Sequence, residues 1–332
     1  MEHSPQSAVR NPQSAIDTVL GVDLGGTHVR AAAIGLEGRI LARRQLPTDP
    51  AGGLDAVLDR LATVVAGAAV EAGVPPDAPT GVALPGPIDP RTGMLGFAPN
   101  LGWRDVPVRD LLRERLDRPV VAGNDANAAA LGEWRYGAGR GAGHLVFLIC
   151  GTGVGGGVIA DGRLLLGKDG LAAELGHMVV TLDGPRCHCG GRGCLEAHAA
   201  GWAIARDAQR LLDVGMPSVL PDLLAERGGE LSGALVTLAA QQDDGLALEV
   251  LARAGHAMGI GIASLVHIFD PEIVVIGGGV IGAGDLFFGP LREALDAQLM
   301  APYKGGVRVV PSALGQDAGL LGAGALARSI AD

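Results

Sequence analysis

The chain has 332 residues, 48% hydrophobic and 19% charged, with a formal net charge of −10. That length supports two sizeable domains and that balance a soluble, well-cored protein. The acidic excess argues against nucleic acid as the main partner, because backbone binding needs basic surface to displace counterions.

Residues 1–16, rich in Ser, Pro, Gln and Asn, read as a disordered leader. They lack the charged start and apolar core of a signal peptide, and no run reaches the ~20 uninterrupted apolar residues of a membrane helix. The expected location is therefore the cytoplasm, with no membrane partner.

From Asp17 the sequence TVLGVDLGGTHVRAAAIG reads as an apolar strand, a glycine turn and a second strand. A further strand over 39–46 and a helix over 54–72 follow. The same grammar returns at HLVFLICGTGVGGGVIADG, with a strand over 145–150 and a turn over 151–157. Two such units suggest an internal duplication. Glycine-rich turns let backbone N–H groups approach phosphate closely, and Thr27 and Thr152 add hydroxyl donors. One such turn is merely a tight hairpin; two, at matching points of two repeats, point to polyphosphate binding. Asp161-Gly162 reads as a plain hairpin turn.

Between the repeats lie Pro85-Gly86-Pro87-Ile88-Asp89 at a strand end and the loop Asn100-Leu101-Gly102-Trp103. Gly86 exposes backbone, and Asn100 offers both a donor and an acceptor, as sugars require. Next, an apolar strand ends in Asn124-Asp125 and passes into an alanine-rich helix. Asp125 suits a helix N-cap. It also suits a general base that accepts a proton from a hydroxyl attacking a γ-phosphoryl group, with Asn124 holding a neighbouring hydroxyl.

Cys187-His188-Cys189, Cys194 and His177 have the spacing of a Cys₃His zinc site, flanked by Glu174 and Glu196. Three thiolates and one imidazole leave no open coordination position, so the zinc is expected to be structural. A disulfide between Cys187 and Cys189 would close a strained small ring and leave Cys194 unpaired. Alone, the cluster also suits a nucleic-acid finger, a redox switch or a hydrolase. Thiolate ligands and the lone Cys150, read as a small buried hydrophobe, fit a reducing compartment. The apolar stretch over 246–269 reads as a helix for either core or interface. A strand over 273–276 then leads to Gly277-Gly278-Gly279, where exposed backbone suits an adenine or ribose.

Together DLGGT, PGPID, NLGW, NDANAAALGE, GTGVGGG, ELGH and CHCGGRGCLE resemble the ROK family of sugar kinases and sugar-responsive repressors, over almost the whole chain. The resemblance implies an α/β, actin-like ATPase (duplicated ribonuclease H-like) two-domain fold with an interdomain cleft. The smaller domain is expected over 17–123 plus a C-terminal helix over 318–332, and the larger, with the zinc loop, over 124–317.

The resemblance also implies the site. Asp125 matches the catalytic base, and Gly86, Asn100, Asn124, Asp125, Glu174, His177 and Glu196 match sugar contacts. Asp23 matches the acid near Mg²⁺; Gly25, Gly26, Thr27, Gly151, Thr152 and Gly153 match the phosphate turns, and Gly278 and Gly279 the adenosine region. His177, Cys187, Cys189 and Cys194 match the ligands of a structural Zn²⁺. The implied activity is ATP-dependent phosphorylation of the 6-hydroxyl of glucose, with mannose, fructose, N-acetylglucosamine or N-acetylmannosamine as alternatives. A homodimer or homotetramer is implied. A repressor role needs a helix-turn-helix ahead of the first strand, for which the short leader is expected to leave no room. Removing zinc is expected to weaken sugar binding far more than ATP binding.

Overall fold

A computed structural model describes residues 18–329, so the leader and the end of the C-terminal segment lie outside the described residues. The chain forms two units, one holding the described residues up to Ala128 and from Gly319, the other Ala129–Ala318.

The first unit contains β1 (Val19–Leu24), β2 (His28–Ile34), β3 (Ile40–Pro47), α1 (Gly53–Ala72), β4 (Thr80–Leu84), β5 (Leu95–Ala98), β6 (Trp103–Val106), α2 (Val108–Leu116), β7 (Val120–Asn124) and the start of α3 (Asp125–Tyr136). Its main sheet has the order β3-β2-β1-β4-β7. The β1–β2 and β2–β3 pairs are antiparallel, while β1–β4 and β4–β7 are parallel. Val19, Leu20, Val22 and Leu24 are all fully buried, which explains why β1 reads as an unbroken apolar run rather than an alternating one. On α1, Leu58, Leu61, Val65 and Ala68 recur at helical spacing and pack into this core.

The second unit contains the rest of α3, then β8 (Leu145–Cys150), β9 (Val154–Ala160), β10 (Arg163–Leu164), α4 (Glu196–Ala199), α5 (Gly201–Asp213), α6 (Leu220–Arg227), α7 (Gly233–Ala240), α8 (Gly245–Phe269), β11 (Ile273–Gly277), α9 (Asp285–Gln298), β12 (Arg308–Pro311) and the first residue of α10 (Ala318–Arg328). Its sheet order is β10-β9-β8-β11-β12. Again two antiparallel pairs lie on one side of the first strand and two parallel pairs on the other. The duplication legible in the two glycine turns is thus a duplication of sheet topology.

Two details differ from the sequence reading or refine it. The turn expected over 151–157 is shorter, because β9 already begins at Val154. Gly155, Gly156 and Gly157 are strand residues; a Cβ at Gly156 would fall 2.6 Å from Leu175 Cδ1 and 2.9 Å from the Phe147 carbonyl, so glycine there permits close packing rather than a bend. Asp161 and Gly162 do form the hairpin turn, with φ of 50° and 68° and Ala160 paired to Arg163 across it.

By length and composition α8 is apolar enough to cross a membrane. Its Leu251, Met258, Ile262 and Val266 are buried in the second unit's core, and it packs along α9, so the stretch left open between core and interface is a core helix. α10 returns to the first unit, where Ala323 packs with Ala83 and Ala128.

Candidate active site

In the first unit, Asp23 lies near the end of β1 and ion-pairs with Arg30 on β2. The Gly25-Gly26-Thr27 turn that follows is closed by Gly25 N–H donating to the His28 carbonyl at 2.9 Å. Thr48 braces it from behind. The fully buried Thr48 donates its hydroxyl to the Gly25 carbonyl at 2.6 Å, and its N–H donates to the Thr27 carbonyl at 2.9 Å. Asn100 sits in the 3₁₀ turn at the tip of the β5–β6 hairpin. Gly26 lies beside it, since a Cβ there would fall 3.4 Å from Asn100 Cβ.

β7 delivers Asn124 and α3 begins at Asp125. The capping role falls to Asn124, whose Oδ1 accepts from Asn127 N–H at 3.1 Å. Its Nδ2 donates to the Gly86 carbonyl at 3.2 Å and to Asp125 Oδ1 at 3.1 Å. Gly86, Asn124 and Asp125 therefore form one hydrogen-bonded group. Asp125 Oδ1 also accepts from Ala126 N–H at 2.8 Å, which favours the carboxylate. Burial outweighs that and, with the Asp23 charge adding to it, pushes the Asp125 carboxyl from 3.8 up to about 6. A carboxylate so tuned is ionised at neutral pH yet basic enough to take a proton.

In the second unit, the Gly151-Thr152-Gly153 turn is closed by Gly151 N–H donating to the Gly153 carbonyl at 2.9 Å, and Gly201 N–H donates to the Gly151 carbonyl at 2.8 Å. Gly151, Thr152 and Gly279 line one cavity of about 370 Å³, together with the first turn of α7. Gly278 immediately precedes Gly279 after β11, and Gly153 lies instead against Glu196, whose Oε2 a Cβ would approach to 2.7 Å. Cys150 also lines the cavity; its thiol donates to the Ala199 carbonyl at 2.8 Å, and burial pushes it up to about 12, consistent with an inert small hydrophobe.

His177 closes a 3₁₀ turn that begins just after Glu174. Ala173, directly before it, holds φ at 65°, a left-handed conformation that costs a non-glycine residue roughly 1–2 kcal/mol. Val179 bridges to Cys194, which draws the His177 segment against the thiol loop. The ligand atoms of His177, Cys187, Cys189 and Cys194 lie within 4.8 Å of one another. Cys189 Sγ is 3.7 Å from Cys194 Sγ, and Cys187 Sγ is 3.7 Å from His177 Nδ1. A tetrahedron with Zn–S of 2.3 Å has edges of about 3.8 Å, so these four residues fit zinc. Glu196 opens α4 beside them, with Oε1 accepting from Cys187 Sγ at 3.4 Å and Oε2 from Val154 N–H at 3.1 Å. The Val154 bond ties the start of α4, two residues after Cys194, to the strand that leaves the glycine turn.

The sequence reading missed Thr48 and Glu133. Glu133 is fully buried on α3, where its carboxylate accepts from Ala138 N–H at 2.8 Å, Leu314 N–H at 2.9 Å and the Ser312 hydroxyl. Its signal was an acid eight residues past Asp125, after a stretch in which Leu131 is the one large side chain.

Two units that share one sheet order, each with a glycine turn after its first strand, define the duplicated ribonuclease H-like architecture of actin-like ATPases. Comparison with known proteins narrows this. The ROK family model matches residues 19–330. A glucokinase of Thermotoga maritima is 42% identical over 313 residues, which cover 93% of this chain and 96% of that one. A ROK family glucokinase from Streptomyces griseus, solved in complex with glucose and AMPPNP, is 36% identical, with a TM-score of 0.80 over 94% of this chain and 99% of that one. A ROK hexokinase from Thermus thermophilus is 37% identical, with a TM-score of 0.82 over 95% and 99%. The chain belongs to the ROK family.

Proposed function

We propose that this chain is an ATP-dependent hexose 6-phosphotransferase whose sugar substrate is glucose. The observation that carries the chemistry is Asp125, a carboxylate raised to about 6 and tied through Asn124 to the Gly86 carbonyl. As the sugar's 6-hydroxyl oxygen attacks the γ-phosphorus, Asp125 takes the hydroxyl proton and the bond from phosphorus to the β,γ-bridging oxygen breaks, releasing ADP. Asn100, Asn124, Glu174, His177 and Glu196 are the groups suited to the remaining sugar hydroxyls.

The turns at Gly25–Thr27 and Gly151–Gly153 offer backbone N–H groups to the ATP phosphates, and Gly278 and Gly279 border the adenosine. Asp23 would offer the hard oxygen that Mg²⁺ favours, and the ion would supply charge neutralisation for the ATP phosphates. His177, Cys187, Cys189 and Cys194 would hold zinc, which would fix the ring of His177 and the start of α4 and leave the second ring nitrogen of His177 for a sugar hydroxyl.

Glucose is favoured over the other hexoses by kinship to glucokinases that align along nearly their whole length. A homodimer or homotetramer in the cytoplasm, without nucleic-acid or membrane partners, accords with this reading and with the net charge of −10. A coupled ATP assay with glucose, mannose, fructose, N-acetylglucosamine and N-acetylmannosamine tests it. Glucose should give the highest kcat/KM; a higher value for either acetylated sugar would reassign the substrate.

A further inference from the structure

His188 stands between two zinc-fitting cysteines, yet it is not one of the four residues whose ligand atoms converge. Its ring is exposed and stacks on the indole of Trp202, with centroids 4.1 Å apart and planes inclined by 24°. Trp202, near the start of α5, is half-buried and lines the 370 Å³ cavity that also holds Thr152 and Gly279. The Arg206 guanidinium lies 5.2 Å from the indole centroid and is itself fixed by Asp207 and the Ala197 carbonyl. Trp202 packs in addition against the buried cluster of Cys187, Cys194 and Ala197.

The indole is thus a plate, with the thiol loop behind it and the cavity beside it. We propose that Trp202 is a positioning residue of the phosphoryl-donor pocket, and that His188 sets its orientation by stacking. This rests on the reading of that cavity as the ATP pocket. The physical argument is one of rotamers. A half-buried indole at a cavity wall has alternative χ1 and χ2 settings, and those that swing it toward Thr152 or α7 would take space from the ligand. A stacked ring on one side and a guanidinium nearby leave one setting favoured. The Cys-His-Cys turn then does two things: its thiols suit a metal, and the histidine between them supports the wall of the nucleotide cavity.

The test uses the zinc-loaded full chain and three readouts: zinc per chain, AMPPNP affinity and glucose affinity, the last two by calorimetry. His188→Ala should weaken AMPPNP roughly three- to tenfold, the scale of one aromatic stack, with zinc content at the wild-type level and glucose affinity held within about twofold. His188→Phe, which keeps a ring in the stack, should restore AMPPNP binding. Trp202→Ala removes the plate without touching the metal loop's sequence and should weaken AMPPNP at least as much, so it decides the matter if His188→Ala loses zinc. Unchanged AMPPNP affinity in Trp202→Ala would overturn the proposal. Ala234→Trp separates it from the reading beneath it, because Ala234 is an exposed residue of the same cavity wall. If Ala234→Trp abolishes AMPPNP binding while Trp202→Ala leaves it intact, only the role of Trp202 fails. If AMPPNP still binds Ala234→Trp at wild-type affinity, the cavity is not the donor pocket.

Discussion

At the scale of single residues, Asp125 joins mechanism to a measurable cost. Burial holds its carboxyl at about 6 against 3.8 in an unfolded chain. Because the folded value is the higher one, the contribution to stability is fully present below 3.8 and is lost as pH rises through about 6. Asp125→Asn removes the buried charge and keeps the shape. It should cut kcat by roughly 100-fold or more. It should also raise stability relative to wild type by on the order of 1–3 kcal/mol at pH 7, with the difference shrinking toward pH 4. Denaturant unfolding at the two pH values checks the second expectation, and kcat/KM of the wild type falling tenfold per pH unit below about 6 checks the protonation step. A variant with wild-type turnover would remove Asp125 from the chemistry. This residue was legible because strand, acid and helix are adjacent in sequence; its capping partner was not, since Asn124 and Asp125 compete for the same role and only the hydrogen-bond directions separate them.

At the scale of elements, α3 shows why part of the site was hidden. The helix starts at Asp125 and is held farther along by Glu133, whose carboxylate binds Ser312 and Leu314 across 179 and 181 residues of sequence. Thr48 likewise braces the Gly25 turn from 23 residues away. Such contacts have no local signature. The glycine turns, the thiol cluster and the Asn-Asp pair do, because each needs particular residue types at short spacing. The shortened second turn has a similar cause: glycines that permit close packing under Leu175 look the same in sequence as glycines that make a bend. Glu133→Gln replaces an acceptor-only carboxylate with an amide that presents one donor edge to other donors. We expect a loss of about 1–3 kcal/mol in stability, together with faster hydrogen exchange at the Ala138 and Leu314 amides. Unchanged exchange at both amides would mean that Glu133 does not anchor α3.

At the scale of the whole molecule, the second unit joins its own parts through the thiol loop. The sequence suggested that zinc serves the sugar residues and leaves the phosphate turn alone. The position of Glu196 argues otherwise, since it follows the ligand Cys194 by two residues while its Oε2 holds Val154 N–H, immediately after Gly153. Loss of the metal should let Cys187 and the start of α4 move, and Glu196 moves with them. Glucose affinity should fall most, because Glu174, His177 and Glu196 all lie in or beside the ligand set. AMPPNP affinity should fall too, by less, because the Gly151–Gly153 turn loses one of its outer supports while its internal bond from Gly151 to Gly153 remains. Calorimetry with each ligand before and after zinc chelation, on protein whose circular dichroism is unchanged, measures both losses. Restoring stoichiometric zinc should recover both affinities together. An AMPPNP affinity untouched by chelation would show that the Glu196 link carries no free energy, and the sugar-only role expected from sequence would then stand.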